Sequence, residues 1–304
     1  MKGMELSYRF FHEVMYPLLK AEYPILLDKC AFGLIGEGSE CYGYDDEFSK
    51  DHDFSPLCCI FVPHICYQDY YPLINEMLKK LPDNYDGYQL GLDNPVIASR
   101  RGPIDIADFF MRYLNSETVP DDLLKWNDIP SHHLSTAVNG VIFMDNEGTF
   151  SKIREILLKG YPEAVKLHKM AYSCAMIAQS GQYNYGRCLK RADLIGADIA
   201  KAHFFEHAMQ LVYLLNDKYA PYYKWMHQGL LNCEFGGNEV YYLLESMTIS
   251  CTNEKIDRLC DTLYKLLNHR YPMPLESGFF LDYARSLKEI IKEPAIKELS
   301  IWKP

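Results

Sequence analysis

The stretch that decides the fold is GEGSECYGYDDEFSKDHDF, residues 36–54. The apolar run Ala31–Ile35 leads into it and stops at glycines, which predicts a short buried strand followed by a tight turn. A second apolar run, Phe54–Val62, predicts the next strand. Asp51 and Asp53 begin that strand two residues apart, so their side chains are expected to project to the same side. Two carboxylates on one edge of a sheet can bind a divalent cation.

Gly38 and Ser39 occupy the predicted turn from strand to helix. Backbone N–H groups at such a turn, together with the Ser39 hydroxyl, can donate to phosphate oxygens. With the aspartate pair, they suit a nucleoside triphosphate bridged by metal ions. A solvated acidic loop would explain Asp45, Asp46 and Glu47, which are ordinary turn residues. It would not explain why Gly38-Ser39 and the pair Asp51 and Asp53 are each joined to an apolar strand.

The order of apolar strand, Gly-Ser, eleven residues and Asp-x-Asp resembles the signature of the polymerase-β-like nucleotidyltransferases. That superfamily includes antibiotic nucleotidyltransferases and the minimal enzymes of bacterial toxin–antitoxin pairs. Residues 38–54, LSTAVNGVIFMDNEG (134–148) and PYYKW (221–225) are more narrowly similar to a bacterial family of unknown function with that fold. The narrow similarity spans roughly residues 30–235. One departure is that Lys50 separates Ser49 from the first aspartate, whereas the minimal enzymes place the serine directly before it.

The resemblance implies Mg²⁺-dependent transfer of a nucleoside monophosphate from a nucleoside triphosphate, with ATP the expected donor, to an acceptor hydroxyl. Asp51 and Asp53 would bind two Mg²⁺ ions, and Asp105 would be the third carboxylate, on the ion nearer the attacking group. Gly38 and Ser39 would bind the β- and γ-phosphates. In relatives with helical second domains a lysine reaches the triphosphate, and Lys224 is the candidate here. A surface lysine whose stem covers the next residue, a tryptophan, explains Lys224 equally well.

Two acids compete for the third metal-binding position. Asp105 lies between Ile104 and Ile106, which predicts an acid inside a strand with apolar neighbours on the opposite face. Asp145 is followed by Asn-Glu-Gly, which is typical of a hairpin tip away from the catalytic edge. We therefore predict that Asp105 lies on the same side of the sheet as Asp51, close enough to share a metal, and that Asp145 lies farther away.

The hydrophobic pattern predicts two domains. In residues 1–150 helices at 5–20 and 68–81 alternate with strands, the third at Ile104–Ile106 and the fourth at Ala137–Met144, which indicates an α/β (α+β) domain with a mixed sheet. Residues 151–304 show helical spacing almost throughout and predict an all-α helical bundle that binds the acceptor. The helical segments are expected at 151–159, 162–179, 187–217, 220–232, 238–250, 253–268 and 279–292.

Composition excludes several classes of protein. The 304 residues carry a net charge of −10, with −13 in residues 1–150 and +3 in the remainder. The acidic first half disfavours a broad nucleic-acid surface and makes a cationic small molecule a better acceptor than RNA. No apolar run approaches the roughly 18–20 residues that span a bilayer, so no membrane partner is expected. Ten cysteines without a CxxC pair predict free thiols in a cytoplasmic protein. The sequence leaves open whether the chain forms a homodimer.

Several other polar groups have competing interpretations. His203-Phe-Phe-Glu-His207 spells HxxEH, an inverted zinc-peptidase motif, but its Ala- and Leu-rich helix favours a core or substrate-lining role. Glu206 is a candidate base on the acceptor side. The pairs Arg100-Arg101 and Lys190-Arg191 are best interpreted as solvated surface charge. Cysteines 58, 59 and 66 are expected to pack in the core, and histidines 132 and 133 have no assigned role.

Three functions follow from these patterns. The first is a nucleotidyltransferase whose acceptor is a small molecule rather than a protein or RNA. The second is a catalytically silent nucleotide-binding or toxin–antitoxin-type regulatory protein of the same fold, which would bind labelled ATP without transferring any part of it. The third is a zinc peptidase, which would contain stoichiometric Zn²⁺.

Overall fold

The structure is a computed structural model that describes residues 1–49, 54–273 and 278–304. The chain forms two compact units. Unit 1 comprises residues 1–119 and 133–158, and unit 2 comprises residues 120–132 and 159–304.

These units differ from the predicted domains because residues 120–132 belong to the helical unit. Trp126 is buried there, and its indole N–H donates to the carbonyl of Pro120 at 3.0 Å. The carbonyl of Asn127 accepts a hydrogen bond from Lys169 at 2.7 Å. The Trp126 ring also lies 6.4 Å from that of Tyr161. This ring contact and the hydrogen bond of the buried Lys169 hold the segment to the rest of unit 2, whereas the prediction followed chain order alone.

Unit 1 is built on a four-stranded mixed sheet. Its strands, with those of a small hairpin, are β1 (Ala31–Leu34), β2 (Cys59–Val62), β3 (Asn84–Tyr85), β4 (Tyr88–Gln89), β5 (Pro103–Asp105) and β6 (Val141–Asp145). The sheet order is β5-β2-β1-β6, and β3 pairs with β4. β1 is antiparallel to β2 and β6, and β2 is parallel to β5. The end of β1 and the start of β2 therefore lie side by side, at the end of the strands that is called the edge of the sheet below.

Helices complete the two units. In unit 1 they are α1 (Gly3–Phe10), α2 (Tyr16–Glu22), α3 (Pro24–Lys29), α4 (Ser39–Tyr42), α5 (Tyr67–Leu78), α6 (Pro95–Arg101), α7 (Ile106–Leu114), α9 (Ser131–Val138, whose residues 131 and 132 belong to unit 2) and α10 (Ser151–Leu157). In unit 2 they are α8 (Leu123–Asp128), α11 (Glu163–Ile177), α12 (Gly186–Lys190), α13 (Leu194–Leu215), α14 (Tyr223–Gly229), α15 (Gly237–Ile249), α16 (Asn253–Arg270), α17 (Phe280–Glu289) and α18 (Pro294–Lys297). A π-helical turn, Phe11–Met15, joins α1 to α2, and another, Ala178–Tyr185, joins α11 to α12.

The central strands β1 and β2 are buried on both faces of the sheet. Phe11 and Met15 belong to the same buried cluster as Ile60 of β2. On the other face the ring of Phe61 stacks on that of Phe150 at 4.2 Å. Successive strand residues point to opposite faces, so a strand with both faces covered must be continuously apolar, as β2 is.

Two predicted strands need correction. The fourth, Ala137–Met144, is instead the end of α9 followed by β6 at Val141–Asp145, since Asn139 and Gly140 form a turn between them. The second begins at Cys59 and not at Phe54, and residues 54–58 form no strand. Apolar character alone does not separate a strand from the buried end of a helix or a buried loop.

Each helical segment predicted after residue 150 overlaps a helix of the structure. The segment 187–217 is broken between α12 and α13, where Ala192 adopts a left-handed backbone with φ of 55°. Among the described residues, no helix is long and apolar enough to span a membrane.

Candidate functional site

The turn after β1 is fixed by two glycines. Gly36 and Gly38 have φ of 112° and 121°, a region that favours glycine over any residue with a side chain. At Gly38 an added Cβ would also lie 2.4 Å from the carboxylate of Glu40. Ser39 then begins α4, so the predicted order of strand, glycine turn, serine and helix is confirmed.

Asn139 holds this turn from the adjacent strand connection. Its side-chain oxygen accepts from the Gly36 N–H at 2.9 Å, and its amide donates to the Gly36 carbonyl at 2.8 Å. Arg154 in turn donates to the carbonyls of Val138 and Gly140, each at 2.9 Å. The turn is therefore held by specific hydrogen bonds. The Asn-Gly dipeptide is a turn signal that the sequence interpretation placed inside a strand.

A buried ion pair anchors the start of α4 to the edge of the sheet. The Arg101 guanidinium donates to the Glu40 carboxylate, and their side chains are only 4% and 14% exposed. Arg101 also donates to Cys59 Sγ at 3.5 Å. Burial opposes the charge of Arg101, but Cys59, Cys41 and Glu40 raise its pKa overall. The prediction of solvated surface charge is wrong for Arg101, because its partner lies 61 residues away in the sequence.

A cavity of about 220 Å³ opens beside the turn in unit 1. Its charged lining residues are Glu37, Arg100, Arg101, Asp105, Asp108 and Arg112. Glu37 accepts a hydrogen bond from the Tyr113 hydroxyl at 3.3 Å. Arginine guanidinium groups are suited to phosphate and carboxylate, but here three arginines face three acids and Arg101 is already paired with Glu40, so the charges of the lining balance.

Asp51 and Asp53 lie outside the described residues, so their predicted metal clamp stays a prediction. Ser49 and Phe54, which flank the undescribed segment in sequence, are both half-buried. The segment connects β1 to β2, and the antiparallel register Gly33↔Cys59 places the end of one strand beside the start of the other.

Asp105 does not have the position predicted for it within a strand. It is the last residue of β5 and the N-cap of α7, where its carboxylate accepts from the Ala107 N–H at 2.8 Å. The other carboxylate oxygen contacts His64 Nδ1 at 2.7 Å. This hydrogen bond raises the pKa of the exposed His64 imidazole. Asp105 thus has a structural role that the sequence interpretation missed.

Asp105 lines the same cavity as Gly36 and Glu37, although the register places it at the opposite end of β2 from Cys59. It pairs with Val62, three residues along β2 from Cys59, which is roughly 10 Å. Asp145 pairs with Ala31 and therefore lies toward that same far end. Its carboxylate accepts from the N–H groups of Phe150 and Ser151. Asp105 lines the cavity beside the turn and Asp145 does not. Because Asp51 and Asp53 lie outside the described residues, the predicted contrast between the two acids stays a prediction.

The remaining predicted residues have identifiable surroundings. Lys224 is exposed on α14 in unit 2, and its ammonium lies 5.4 Å from the centre of the Trp225 ring, as the surface interpretation expects. Cys58 is fully buried, which raises its pKa and makes it unreactive. The rings of His132 and Tyr222 are 5.9 Å apart, and those of His133 and Tyr113 are 6.0 Å apart.

Unit 2 contains a larger cavity of about 750 Å³. Its aromatic lining residues are His132, Tyr161, Tyr172, His203, His207, Tyr222 and Tyr223. Lys169 also lines it, and burial lowers the pKa of this lysine to about 8. The structure brings His203, Glu206 and His207 together on this wall, with one ligand atom from each within 4.8 Å of the others.

Comparisons with known proteins give a match to a family model over part of the chain and a weak structural likeness. A family described as a domain of unknown function (DUF4037) matches residues 126–226, which is 101 of the 304 residues. A crystal structure of a nucleotidyltransferase-like protein from Exiguobacterium sibiricum 255-15 is similar at 15% identity, over 86% of this chain and 75% of that chain, with a TM-score of 0.35. A likeness this weak does not establish a shared fold. No curated protein matches. The family match agrees with the resemblance to a family of unknown function and assigns no activity.

Proposed function

We propose that this chain is a metal-dependent nucleotidyltransferase that moves a nucleoside monophosphate from a nucleoside triphosphate, ATP being the expected donor, to a hydroxyl of a small-molecule acceptor. The observation that carries the proposal is the glycine turn that joins β1 to Ser39 at the edge of the sheet where β2 begins. In the sequence the pair Asp51 and Asp53 precedes β2. A purely structural turn would not require an aspartate pair at this point of the sequence.

In this proposal the turn binds the triphosphate. The backbone N–H groups after Gly38 and the hydroxyl of Ser39 donate to the β- and γ-phosphate oxygens. The hydrogen bonds of Asn139 and the Arg101–Glu40 ion pair keep the turn in one conformation before the nucleotide arrives. A preformed set of donors costs little reorganisation when negative charge develops on the phosphates.

The metal site is proposed from the aspartate pair. Carboxylates are the ligands that Mg²⁺ prefers, so Asp51 and Asp53 fit two Mg²⁺ ions by donor type. When bound, Mg²⁺ neutralises charge on the triphosphate. Asp105 fits less well as the third ligand, since both of its carboxylate oxygens already have hydrogen-bond partners. We therefore rest the metal proposal on Asp51 and Asp53, with Asp105 as a ligand only if it gives up those hydrogen bonds.

The acceptor is proposed to bind in the cavity of unit 2. Its volume of about 750 Å³ lies within the range of small-molecule sites. Its tyrosines can stack on a ring or contact a cation, while their hydroxyl groups orient a polar ligand. Lys224 remains a candidate phosphate ligand on the same unit, although its position over Trp225 is explained without one.

The experiment is a mass search for nucleotide-modified products. A lysate receives the protein, Mg²⁺ and isotope-labelled ATP, and products are compared with those formed by the Asp51→Asn/Asp53→Asn variant. We expect a labelled small molecule that the variant does not form. Binding of Mg²⁺ and ATP by the purified protein with no transfer to any lysate component would instead identify the silent, regulatory alternative.

A further inference from the structure

The cavity of unit 2 carries a cluster of side chains that the proposed nucleotide chemistry does not use. His203, Glu206 and His207 lie on α13 at spacings of three and four residues, so one face of the helix presents all three. Each of them lines the cavity. One nitrogen or oxygen atom from each lies within 4.8 Å of the others. The HxxEH sequence alone does not predict that the three side chains line a cavity, because it does not show what the helix face packs against.

Two features of the cluster's surroundings suit metal ligands. His207 is buried, 5% exposed, yet its Nδ1 has no hydrogen-bond partner among the described residues. A buried polar atom without a partner costs free energy, and a ligand that supplies a partner removes that cost. Glu206 is held by the amide of Gln210 at 3.2 Å, one helical turn further on. A hydrogen bond to a carboxylate ligand of this kind orients it towards a metal.

We propose that His203, Glu206 and His207 bind one Zn²⁺ ion whose remaining coordination position faces the cavity. Two imidazoles and one carboxylate are a donor set that zinc uses at catalytic sites, where it keeps a position open for water or substrate. Mg²⁺ prefers oxygen ligands alone, so this site differs in chemistry from the aspartate pair of unit 1. All three residues act as ligands, which leaves no glutamate free for the peptidase role of the HxxEH motif. The open position accepts water or a donor atom of the molecule in the cavity.

The test is a Co²⁺ titration of metal-free, full-length protein followed by visible absorption, with Zn²⁺ added as competitor. We expect one Co²⁺ per chain and its displacement by one equivalent of Zn²⁺. His203→Ala and Glu206→Gln should each weaken Co²⁺ binding at least tenfold, since removing even an outer-shell partner of a metal ligand costs about 10–100-fold in affinity. The matched control is His269→Ala, an exposed histidine on α16 outside the cavity, which should bind as the wild type does.

Weaker metal binding by the two variants can be distinguished from a loss of folding. The side chains of His203 and Glu206 are 52% and 44% exposed, so both variants are expected to keep the wild-type circular dichroism spectrum. Absence of stoichiometric Co²⁺ and Zn²⁺ binding by the wild type would overturn the proposal. Unchanged affinity in folded His203→Ala and Glu206→Gln would overturn it as well. A thiolate-to-cobalt charge-transfer band would do so too, because it would assign the metal to cysteine.

Discussion

Replacing Arg101 by Met should be among the most destabilising single substitutions in unit 1. Its side chain is 4% exposed and its partner Glu40 is 14% exposed, so the variant leaves a mostly buried carboxylate without its cation. Removing one partner of a buried ion pair costs about 3–5 kcal/mol of folding free energy. The variant also removes the hydrogen bond to Cys59 Sγ. We expect the free energy of unfolding to fall by about 3–5 kcal/mol at neutral pH.

The assay is urea unfolding followed by circular dichroism, with Arg9→Met as the control. Arg9 also contacts a glutamate, Glu13, but these side chains are 39% and 51% exposed. Exposed pairs contribute at most about 1 kcal/mol, so the control should unfold close to the wild type. The double variant Arg101→Met/Glu40→Met removes both charges and should cost less than the sum of its single variants by about 0.5–3 kcal/mol.

Two results would refute this account of the ion pair. One is an Arg101→Met variant that loses no more stability than Arg9→Met does. The other is a double variant whose loss equals the sum of the two single losses, because independent sites add and coupled sites do not. Either result would show that Arg101 and Glu40 do not stabilise the start of α4 together.

Three further predictions concern the strand connection and the helical core. Gly140→Ala should lower the free energy of unfolding by more than about 3 kcal/mol, because φ at this position is +63° and the new Cβ would lie 1.8 Å from a carbonyl oxygen of β1. Its control in the same urea assay is Gly43→Ala, where φ is +72° but the space is open. That variant should lose only the left-handed penalty of about 1–2 kcal/mol. Burial lowers the pKa of His168 to about 4, so between about pH 6.5 and pH 4 the unfolded chain binds a proton that the folded chain does not. The free energy of unfolding should therefore fall by about 3 kcal/mol as the pH drops through this range. His168→Gln should flatten the plot of unfolding free energy against pH in the same range. Asn139→Ala should speed hydrogen exchange of the glycine-turn amides at least tenfold, whereas Asn75→Ala, which loses one exposed bond, should leave them unchanged.

The glycine turn was predictable because its signal is local. A buried apolar run that stops at Gly36, followed by Gly38 and Ser39, permits few other conformations. The ion pair was not predictable, because Arg101 and Glu40 meet only after β5 and β2 pair in parallel. Residue type alone favours an exposed arginine.

The pattern around Asp105 fits two structures, and the wrong one was chosen. An acid between two isoleucines suits the inside of a strand, but it also suits a strand end followed by a capped helix. The apolar residues Ile106, Phe109, Phe110 and Tyr113 recur at helical spacing directly after it and are buried in α7. That spacing was the available signal for a helix N-cap.

The cavity of unit 2 shows a different limit of sequence reasoning. The spacing of His203 and His207 predicts a shared helix face, and the structure confirms it. Other lining residues come from α11, α14 and residues 127–132, which no local pattern connects to α13. A motif of two histidines and a glutamate therefore gains chemical meaning only when the packing around it is known.

The central claim is tested most directly by calorimetric titration of ATP into the Asp51→Asn/Asp53→Asn variant with and without Mg²⁺. Its control is Asp83→Asn/Asp93→Asn, which removes the same charge from two exposed positions of unit 1. Loss of metal-held charge stabilisation amounts to several kcal/mol, and each ~1.4 kcal/mol is tenfold in affinity. We predict Mg²⁺-dependent ATP binding by the wild type and the control, and at least about a hundredfold weaker binding by the Asp51→Asn/Asp53→Asn variant. Binding by that variant as tight as the wild type, or wild-type binding that ignores removal of Mg²⁺, would contradict a nucleotidyltransferase site at this edge of the sheet.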